Sequence, residues 1–255
     1  MTTLEVCVGD AIGLDAAIAG GADRIELCSA LSVGGLTPPP SLIATAGTSP
    51  VPVHMLVRPR EGGFDHNARE AAMLAADIDA AAQAGLAGIA IGANRGGVLD
   101  TTLLAELVAH THALGAARGR PLSLTLHRAF DLCADLPAAL ETAISLGYDR
   151  ILTSGGEPRA IDALPMLARL HRQAAGRIII LAGSGIDSSN VDVILGTGID
   201  EIHASCGAVS VIAPSPADLR ERRFGFVNPD HRHTDVARVR ALKARLNNAR
   251  MPTLE

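Results

Sequence analysis

Short apolar runs alternate with longer alanine-rich segments of helical period, and this alternation constrains the fold more than any other feature of the sequence. Eight runs are predicted as strands: Leu4–Val8, Arg24–Cys28, Val53–Val57, Gly88–Ile91, Leu122–His127, Arg150–Thr153, Ile178–Leu181 and Glu201–Ala204. Strands separated by helices form a parallel sheet, and eight such units in about 250 residues favour closure of that sheet. We therefore predict an α/β fold with one domain over residues 1–255, a single (β/α)8 TIM-type barrel.

An open, doubly wound sheet is the alternative architecture. The first strand-to-helix turn, Val8–Gly13, lacks the full glycine fingerprint that dinucleotide-binding sheets of that type carry. Residues 207–233 show no clear periodicity and contain three prolines, so we predict a long irregular segment there. A C-terminal helix over 234–249 is expected to follow it.

Charge and composition narrow the function classes. The net charge is −5, and no basic stripe interleaved with aromatic residues suggests a nucleic-acid partner. No apolar run approaches the length of a membrane span. The four cysteines form no close pairs, and a chain of 255 residues needs no disulfide framework. We expect a cytoplasmic protein with reduced thiols that acts neither on nucleic acid nor in a membrane.

A glutamate and a cysteine are separated by one residue in each of the first two strands. Side chains alternate between the two faces of a strand, so Glu5 shares a face with Cys7, and Glu26 shares a face with Cys28. Carboxylates rarely enter the aliphatic layer between barrel and helices, which predicts that all four side chains point into the barrel.

The two cysteines suggest a soft metal site. Neighbouring strands lie about 4.8 Å apart, so the sulfurs of Cys7 and Cys28 can approach each other if the strand register permits. Barrel shear staggers neighbouring strands, which leaves that register open. Two thiolates favour Cu(I), whereas zinc would require four ligands at spacings that are missing here. Burial as small apolar residues explains the two cysteines about equally well.

Charged side chains also follow the third and fifth strands. Arg58 and Arg60 share a face at the end of the third strand, where they can pair with the two glutamates or bind an anionic ligand. His127 ends the fifth strand and is a candidate general acid or base, with Asp131 orienting its ring. A structural ion-pair network and a hydrogen-bonded core histidine are the competing interpretations.

The loops after the seventh and eighth strands are candidates for binding an anion. Gly183, Ser184 and Gly185 precede a helix start, and Ser205 follows the eighth strand. In barrels of this type, backbone N–H groups of these two loops commonly bind phosphate. Turns need glycine in any case, so the motif is a weak signal by itself.

The sequence resembles the CutC copper homeostasis family. The resemblance is carried in order by EVCV (5–8), GGADRIELCS (20–29), GGLTP (34–38), RPR (58–60), HRAFD (127–131), ILTSG (151–155) and EIH (201–203). It implies a TIM-type barrel, a cytoplasmic location, a homo-oligomer (dimer or tetramer) and a role in copper homeostasis. The proposed Cu(I) ligands of the family correspond to Cys7 and Cys28.

Two functions therefore remain open. The first is a copper homeostasis protein that binds Cu(I) through thiolates at the barrel mouth. The second is a barrel enzyme (a lyase, isomerase or hydrolase) acting on a small anionic or phosphorylated metabolite, for which the candidate catalytic residues are Glu5, Glu26, Arg58, Arg60, His127 and Asp131. The two thiols explain the first function, whereas the charged residues converging at one mouth fit the second.

Overall fold

A closed barrel of eight parallel strands forms the centre of the molecule. The computed structural model describes residues 2–199, 201–209, 215–226 and 232–248. The barrel strands are Thr3–Val8, Arg24–Leu27, Val53–Leu56, Gly88–Ile91, Ser123–Leu126, Arg150–Thr153, Ile179–Ala182 and Glu201–Ala204. Each pairs with the next strand in sequence, and the eighth closes on the first. The predicted (β/α)8 TIM-type barrel is confirmed, with each strand end within one residue of its predicted position.

Helices surround the barrel in the part of the chain that the structure describes. They are α1 (Ala11–Gly20), α2 (Pro40–Ala46), α3 (Ala68–Gln83), α4 (Thr101–Ala117), α5 (Leu136–Leu146), α6 (Leu164–Ala174), α7 (Val191–Leu195), α8 (Pro216–Arg223) and α9 (Val236–Asn248). Side-chain caps fix several starts, because the first N–H groups of a helix have no partner within it. The carboxylate of Asp10 accepts from the Gly13 N–H group at 2.6 Å, and Asp135 accepts from Ala138 at 3.0 Å. No helix within the described ranges combines the length and the apolar character needed to cross a bilayer.

Alternation along the strands separates an aliphatic shell from a polar barrel interior. In the first strand, Leu4, Val6 and Val8 pack in the aliphatic core between barrel and helices. Glu5 and Cys7 lie on the opposite face and are buried inside the barrel. The low aromatic content, 2% of residues, fits a shell built from Leu, Ile, Val and Ala. The predicted inward direction of the polar residues in this strand agrees with the structure.

The segment over 207–233 contains more regular structure than its sequence suggests. Gly207–Ala208 pairs antiparallel with His233–Thr234, and α8 lies between these short strands in the chain. A capping box explains the start of α8: Ser215 and Asp218 each accept a hydrogen bond from the other's backbone N–H group. The ranges 210–214 and 227–231, and residue 249 of the predicted last helix, lie outside the described residues.

A close helix contact depends on the missing side chain of Gly20. A Cβ atom at this position would lie 2.4 Å from the Cβ atom of Val239 on α9, which is fully buried. We expect Gly20→Ala to lower the free energy of unfolding by about 1–3 kcal/mol through overpacking. Urea unfolding followed by circular dichroism measures this loss. Gly63→Ala is the control, because its added methyl group would meet open space; equal effects of both variants would contradict the packing argument.

Candidate functional site

A layer of buried charges fills the barrel beneath its C-terminal mouth. Arg24 forms ion pairs with Glu5 and with Glu201, the latter at 2.6 Å between Nη2 and Oε2. Arg150 approaches the same carboxylate of Glu201 at 3.4 Å, and His203 Nδ1 lies 2.8 Å from Glu5 Oε1. Burial would raise the pKa of Glu5, but Arg24 and His203 outweigh that effect and hold the pKa well below its ordinary value. The layer is thus a compensated network in which Glu5 carries its negative charge.

Above this layer, a cavity of about 500 Å³ opens at the carboxyl ends of the strands. Its polar lining includes Cys7, Glu26, Arg58, His127, Arg128, Asp131, Ser184, His203 and Ser205. Active sites of barrels of this type lie at this face, because loops from all eight strands meet there. The cavity is therefore the candidate functional site.

Cys7 lies in this cavity beside a carboxylate and an imidazole. The strand register sets Cys7 opposite Glu26, and the ligand atoms of Cys7, Glu26 and His203 all lie within 4.8 Å of one another. Burial disfavours a charged ring at His203, but Cys7, Glu26 and Glu5 together raise its pKa well above the ordinary value. Burial likewise raises the pKa of Glu26, although His203 acts in the opposite direction. A thiol, an imidazole and a carboxylate thus converge on one point.

Cys28 faces the same interior but does not lie opposite Cys7. The register pairs Cys7 with Glu26, so Cys28 stands one pleat further along the second strand. From strand rise and spacing, the two Cα atoms are about 8 Å apart. Cys28 nevertheless belongs to one buried cluster with Cys7, Leu56 and Ala90, and its Sγ atom lies 3.4 Å from Glu26 Oε2. Burial, and then the charge of Glu26, raise the pKa of the Cys28 thiol well above its ordinary value.

The two arginines after the third strand have different environments. Arg58 lines the cavity, and its guanidinium donates to the carbonyl oxygens of Val33 and Gly35. It does not pair with Glu5 or Glu26, which was one of its two predicted roles. Arg60 points away from the cavity and forms an ion pair with Glu70 at the start of α3. Arg60 is not among the residues that line the cavity, because α3 supplies its partner, and its role in holding a ligand stays a prediction.

His127 lies in the cavity wall, but Asp131 does not orient it. Nδ1 of His127 accepts a hydrogen bond from the Ala129 N–H group at 3.2 Å, and Nε2 has no partner among the described residues. Asp131 instead accepts from Arg128 Nε at 2.8 Å and from the hydroxyl groups of Thr153 and Ser154. The predicted His127–Asp131 pair is therefore wrong, since the short helical turn after His127 directs Asp131 toward the sixth strand.

The loops after the seventh and eighth strands border the cavity through Ser184, Gly185 and Ser205. Gly183 has a packing role, because a Cβ atom there would lie 2.6 Å from Leu152 Cδ1. Ser184 and Gly185 have φ angles of +82° and +70°, in the left-handed region. Within the described ranges, the N–H groups of Gly185, Ile186 and Ser205 donate no hydrogen bond. These free donors keep an anion-binding role open for Gly185 and Ser205.

Four residues of the buried network were missing from the sequence-based site: Arg24, Arg150, Glu201 and His203. The signal for Arg24 was present, because it stands two residues before Glu26 and therefore shares its face. The same alternation places His203 with Glu201 on the eighth strand. The alternation rule, extended from the glutamates to every polar residue of the strands, would have found them.

Comparisons with known proteins agree with this architecture. The family model described as CutC family matches residues 2–208. Curated CutC family proteins of Rhizobium meliloti (strain 1021) and Caulobacter vibrioides (strain NA1000 / CB15N) are each 47% identical over 247 residues. They cover 96% and 94% of this chain, and the matches span 96% of each relative. A solved structure described as a copper homeostasis protein CutC from Streptococcus agalactiae has a TM-score of 0.73 and 28% identity, covering 80% of this chain and 99% of that one.

More distant structures share the fold alone. N-(5'-phosphoribosyl)anthranilate isomerase from Pyrococcus furiosus has a TM-score of 0.58 at 14% identity and covers 97% of this chain. Fold and site together define a (β/α)8 barrel with a thiol- and imidazole-lined cavity at its C-terminal face. The chain belongs to the CutC family, on the match of its family model and on relatives at 47% identity.

Proposed function

We propose that this protein binds Cu(I) as a copper homeostasis protein, with Cys7 as the central ligand at the floor of the mouth cavity. The observation that carries the proposal is the convergence of Cys7, Glu26 and His203, whose ligand atoms lie within 4.8 Å of one another. Thiolate and imidazole are ligands that Cu(I) accepts, while a carboxylate is a harder ligand better suited to balancing charge. The description of the Streptococcus agalactiae structure as a copper homeostasis protein supports this assignment.

In this proposal His203 supplies the second ligand, beside Cys7. Glu5 holds Nδ1 of the ring at 2.8 Å, which leaves Nε2 toward Cys7 and Glu26. A carboxylate behind a metal-binding imidazole orients the ring and increases its basicity. Cys28 is an additional sulfur donor, two residues beyond Glu26 on the second strand and with its Sγ atom next to the Glu26 carboxylate. Metal binding requires a thiolate and a neutral imidazole, and the raised pKa of His203 favours the protonated ring, so binding is expected to weaken as pH falls.

The test is an anaerobic titration of the protein against a chromophoric Cu(I) chelator. We expect Cys7→Ser to weaken Cu(I) binding at least about 100-fold, since even residues that only orient a ligand cost about 10–100-fold. Cys28→Ser and His203→Asn measure the contributions of the other two donors. Cys133→Ser is the matched control, because Cys133 is also a buried free thiol but contacts Asn94 and does not line the cavity. Unchanged affinity in Cys7→Ser would refute the proposal.

The size of the cavity favours a second candidate function, a barrel enzyme acting on a small anionic metabolite. A volume of about 500 Å³ far exceeds what one metal ion needs and lies within the range of about 300–1,000 Å³ typical of small-molecule sites. Of the predicted catalytic residues, Glu26, Arg58 and His127 line the cavity, and among the described residues neither Arg58 nor His127 pairs with a carboxylate. Glu5 and Arg60 are held in ion pairs, and Asp131, which also lines the cavity, accepts a hydrogen bond from Thr153. The free N–H groups of Gly185 and Ser205 would bind a phosphate group. Crystals soaked in phosphate should show density at these two loops, and empty loops would count against this candidate.

A further inference from the structure

Arg58 carries a positive charge into the cavity wall, and among the described residues no carboxylate forms an ion pair with it; the charge of the exposed Glu61 acts on it only from a greater distance. Its Nη1 atom donates to Val33 and Gly35 at 2.8 and 2.9 Å, and its Nη2 atom donates to Gly62 at 2.9 Å. All three acceptors are neutral backbone carbonyl groups. No Asp or Glu oxygen in the described ranges lies within 4.0 Å of the guanidinium, and Nε has no partner there, although the side chain is only 7% exposed. A buried charge in this state is costly until an ion of opposite sign arrives.

His127, in the wall of the same cavity, holds a second unpartnered donor that is shielded from solvent. Because Nδ1 accepts from the Ala129 N–H group, the neutral ring carries its proton on Nε2. That nitrogen is buried and has no partner among the described residues. Burial lowers the pKa of His127 to about 3, so the ring stays neutral near pH 7 and keeps this N–H group. Gly92 lies close against the ring, since a Cβ atom at that position would be 2.7 Å from Nδ1.

The two donors share one neighbour, the ring of Phe64. The Cζ atom of Arg58 lies 4.9 Å from the centroid of this ring, and the centroid of the His127 ring also lies 4.9 Å from it. All three residues line the same cavity. Arg58 and His127 therefore combine an unbalanced positive charge with a neutral N–H donor on one wall.

We infer that Arg58 and His127 form a binding seat for the oxyanion of a small ligand, either a carboxylate or a phosphate. Nε–H of the arginine and Nε2–H of the histidine can only donate, so the matching group must be an acceptor, and the charge selects an anion. The seat is separate from the Cys7 cluster, and it gives the second candidate function its ligand class. Leu31, Val33 and Leu132 at the cavity edge suit a ligand with a short apolar body.

The experiment measures stabilisation of the folded protein by two anions, inorganic phosphate and butyrate. Thermal unfolding is followed by circular dichroism at constant ionic strength set with chloride, because a ligand that binds only the folded state raises Tm as the logarithm of its concentration once that concentration exceeds Kd. We expect such a rise in Tm for the natural protein, and the anion whose effect begins at lower concentration identifies the group that the seat prefers. Loss of one hydrogen bond to a charged group should weaken binding about 10-fold or more in His127→Asn. That variant keeps an acceptor for the Ala129 N–H group, so it preserves the local fold.

Arg60→Met is the matched control, because Arg60 lies two residues from Arg58 but pairs with Glu70 outside the cavity. It should leave the anion affinity unchanged, whereas Arg58→Lys should reduce it. No rise in Tm with either anion beyond that seen with chloride alone, or equal affinities in His127→Asn and the natural protein, would overturn the inference. Failure of the enzyme hypothesis can be told apart from failure of this inference. If crystals soaked in phosphate show no density at the Gly185 and Ser205 loops, butyrate or phosphate should still stabilise the protein, and that stabilisation should still depend on His127.

Discussion

Replacing Arg24 with methionine is expected to lower the free energy of unfolding by about 3–5 kcal/mol, which is the cost of breaking a buried ion pair from one side. Arg24 joins two carboxylates, Glu5 and Glu201, and all three side chains are buried. Methionine fills much of the volume but leaves both carboxylates without their main partner. His203 and Arg150 compensate only in part, since of these two carboxylates His203 contacts only Glu5 and Arg150 contacts only Glu201. Urea unfolding followed by far-ultraviolet circular dichroism measures the loss and suits a chain without tryptophan.

Arg177→Met is the control for the Arg24 prediction. Arg177 also pairs with a glutamate, Glu141, at 2.8 Å, but both side chains are almost half exposed. Removing an exposed ion pair should change the free energy of unfolding by at most about 1 kcal/mol. If Arg24→Met and Arg177→Met destabilise the protein equally, the buried layer does not stabilise the fold in the way that its geometry indicates.

The stability of the protein should depend on pH through His54, a buried histidine inside the barrel. Burial, with Arg24 and Arg150 nearby, lowers the pKa of His54 to about 3, against the opposing effect of Glu5. The unfolded chain takes up this proton below about pH 6.5 whereas the folded chain does not, so acid favours unfolding. One proton corresponds to about 1.4 kcal/mol per pH unit, which gives about 3 kcal/mol between pH 7 and pH 4.

Comparison with His54→Gln isolates this contribution from the other titrating groups. The variant lacks the imidazole, so its free energy of unfolding should fall less steeply with acid than that of the natural protein. Urea unfolding of both proteins at pH 7, 6, 5 and 4 gives the difference. His112→Gln, at an exposed position on α4, measures the effect of removing a histidine as such. Parallel pH curves for the natural protein and His54→Gln would contradict the prediction.

The barrel could be predicted from the sequence because its signals are local. Each strand has four to six apolar or alternating residues, and polar caps such as Asp10 and Asp135 mark the helix starts that follow. The inward direction of Glu5 also followed from alternation and from the cost of placing a carboxylate among aliphatic side chains. The capping box of α8 was visible in the sequence as well, but the surrounding prolines obscured it.

The site was less predictable because it depends on register and on partners distant in sequence. Register decides that Cys7 faces Glu26 instead of Cys28, and the shear of a closed barrel cannot be read from a single strand. Arg60 was expected at the mouth because it shares a face with Arg58, yet Glu70 on α3 holds it outside. The strand ends at Leu56, so strict alternation no longer applies at Arg60. Residues just beyond a strand therefore need tertiary information that residues within it do not.

The charged layer beneath the cavity determines the route by which ligands can enter and leave it. Because Arg24, Glu5 and Glu201 occupy the barrel lumen, nothing that enters from the rim can continue through to the opposite end. A ligand must therefore enter and leave through the same cavity mouth, so a second ligand can bind only after the first has dissociated. A partner protein that docked over this mouth would control both binding and release.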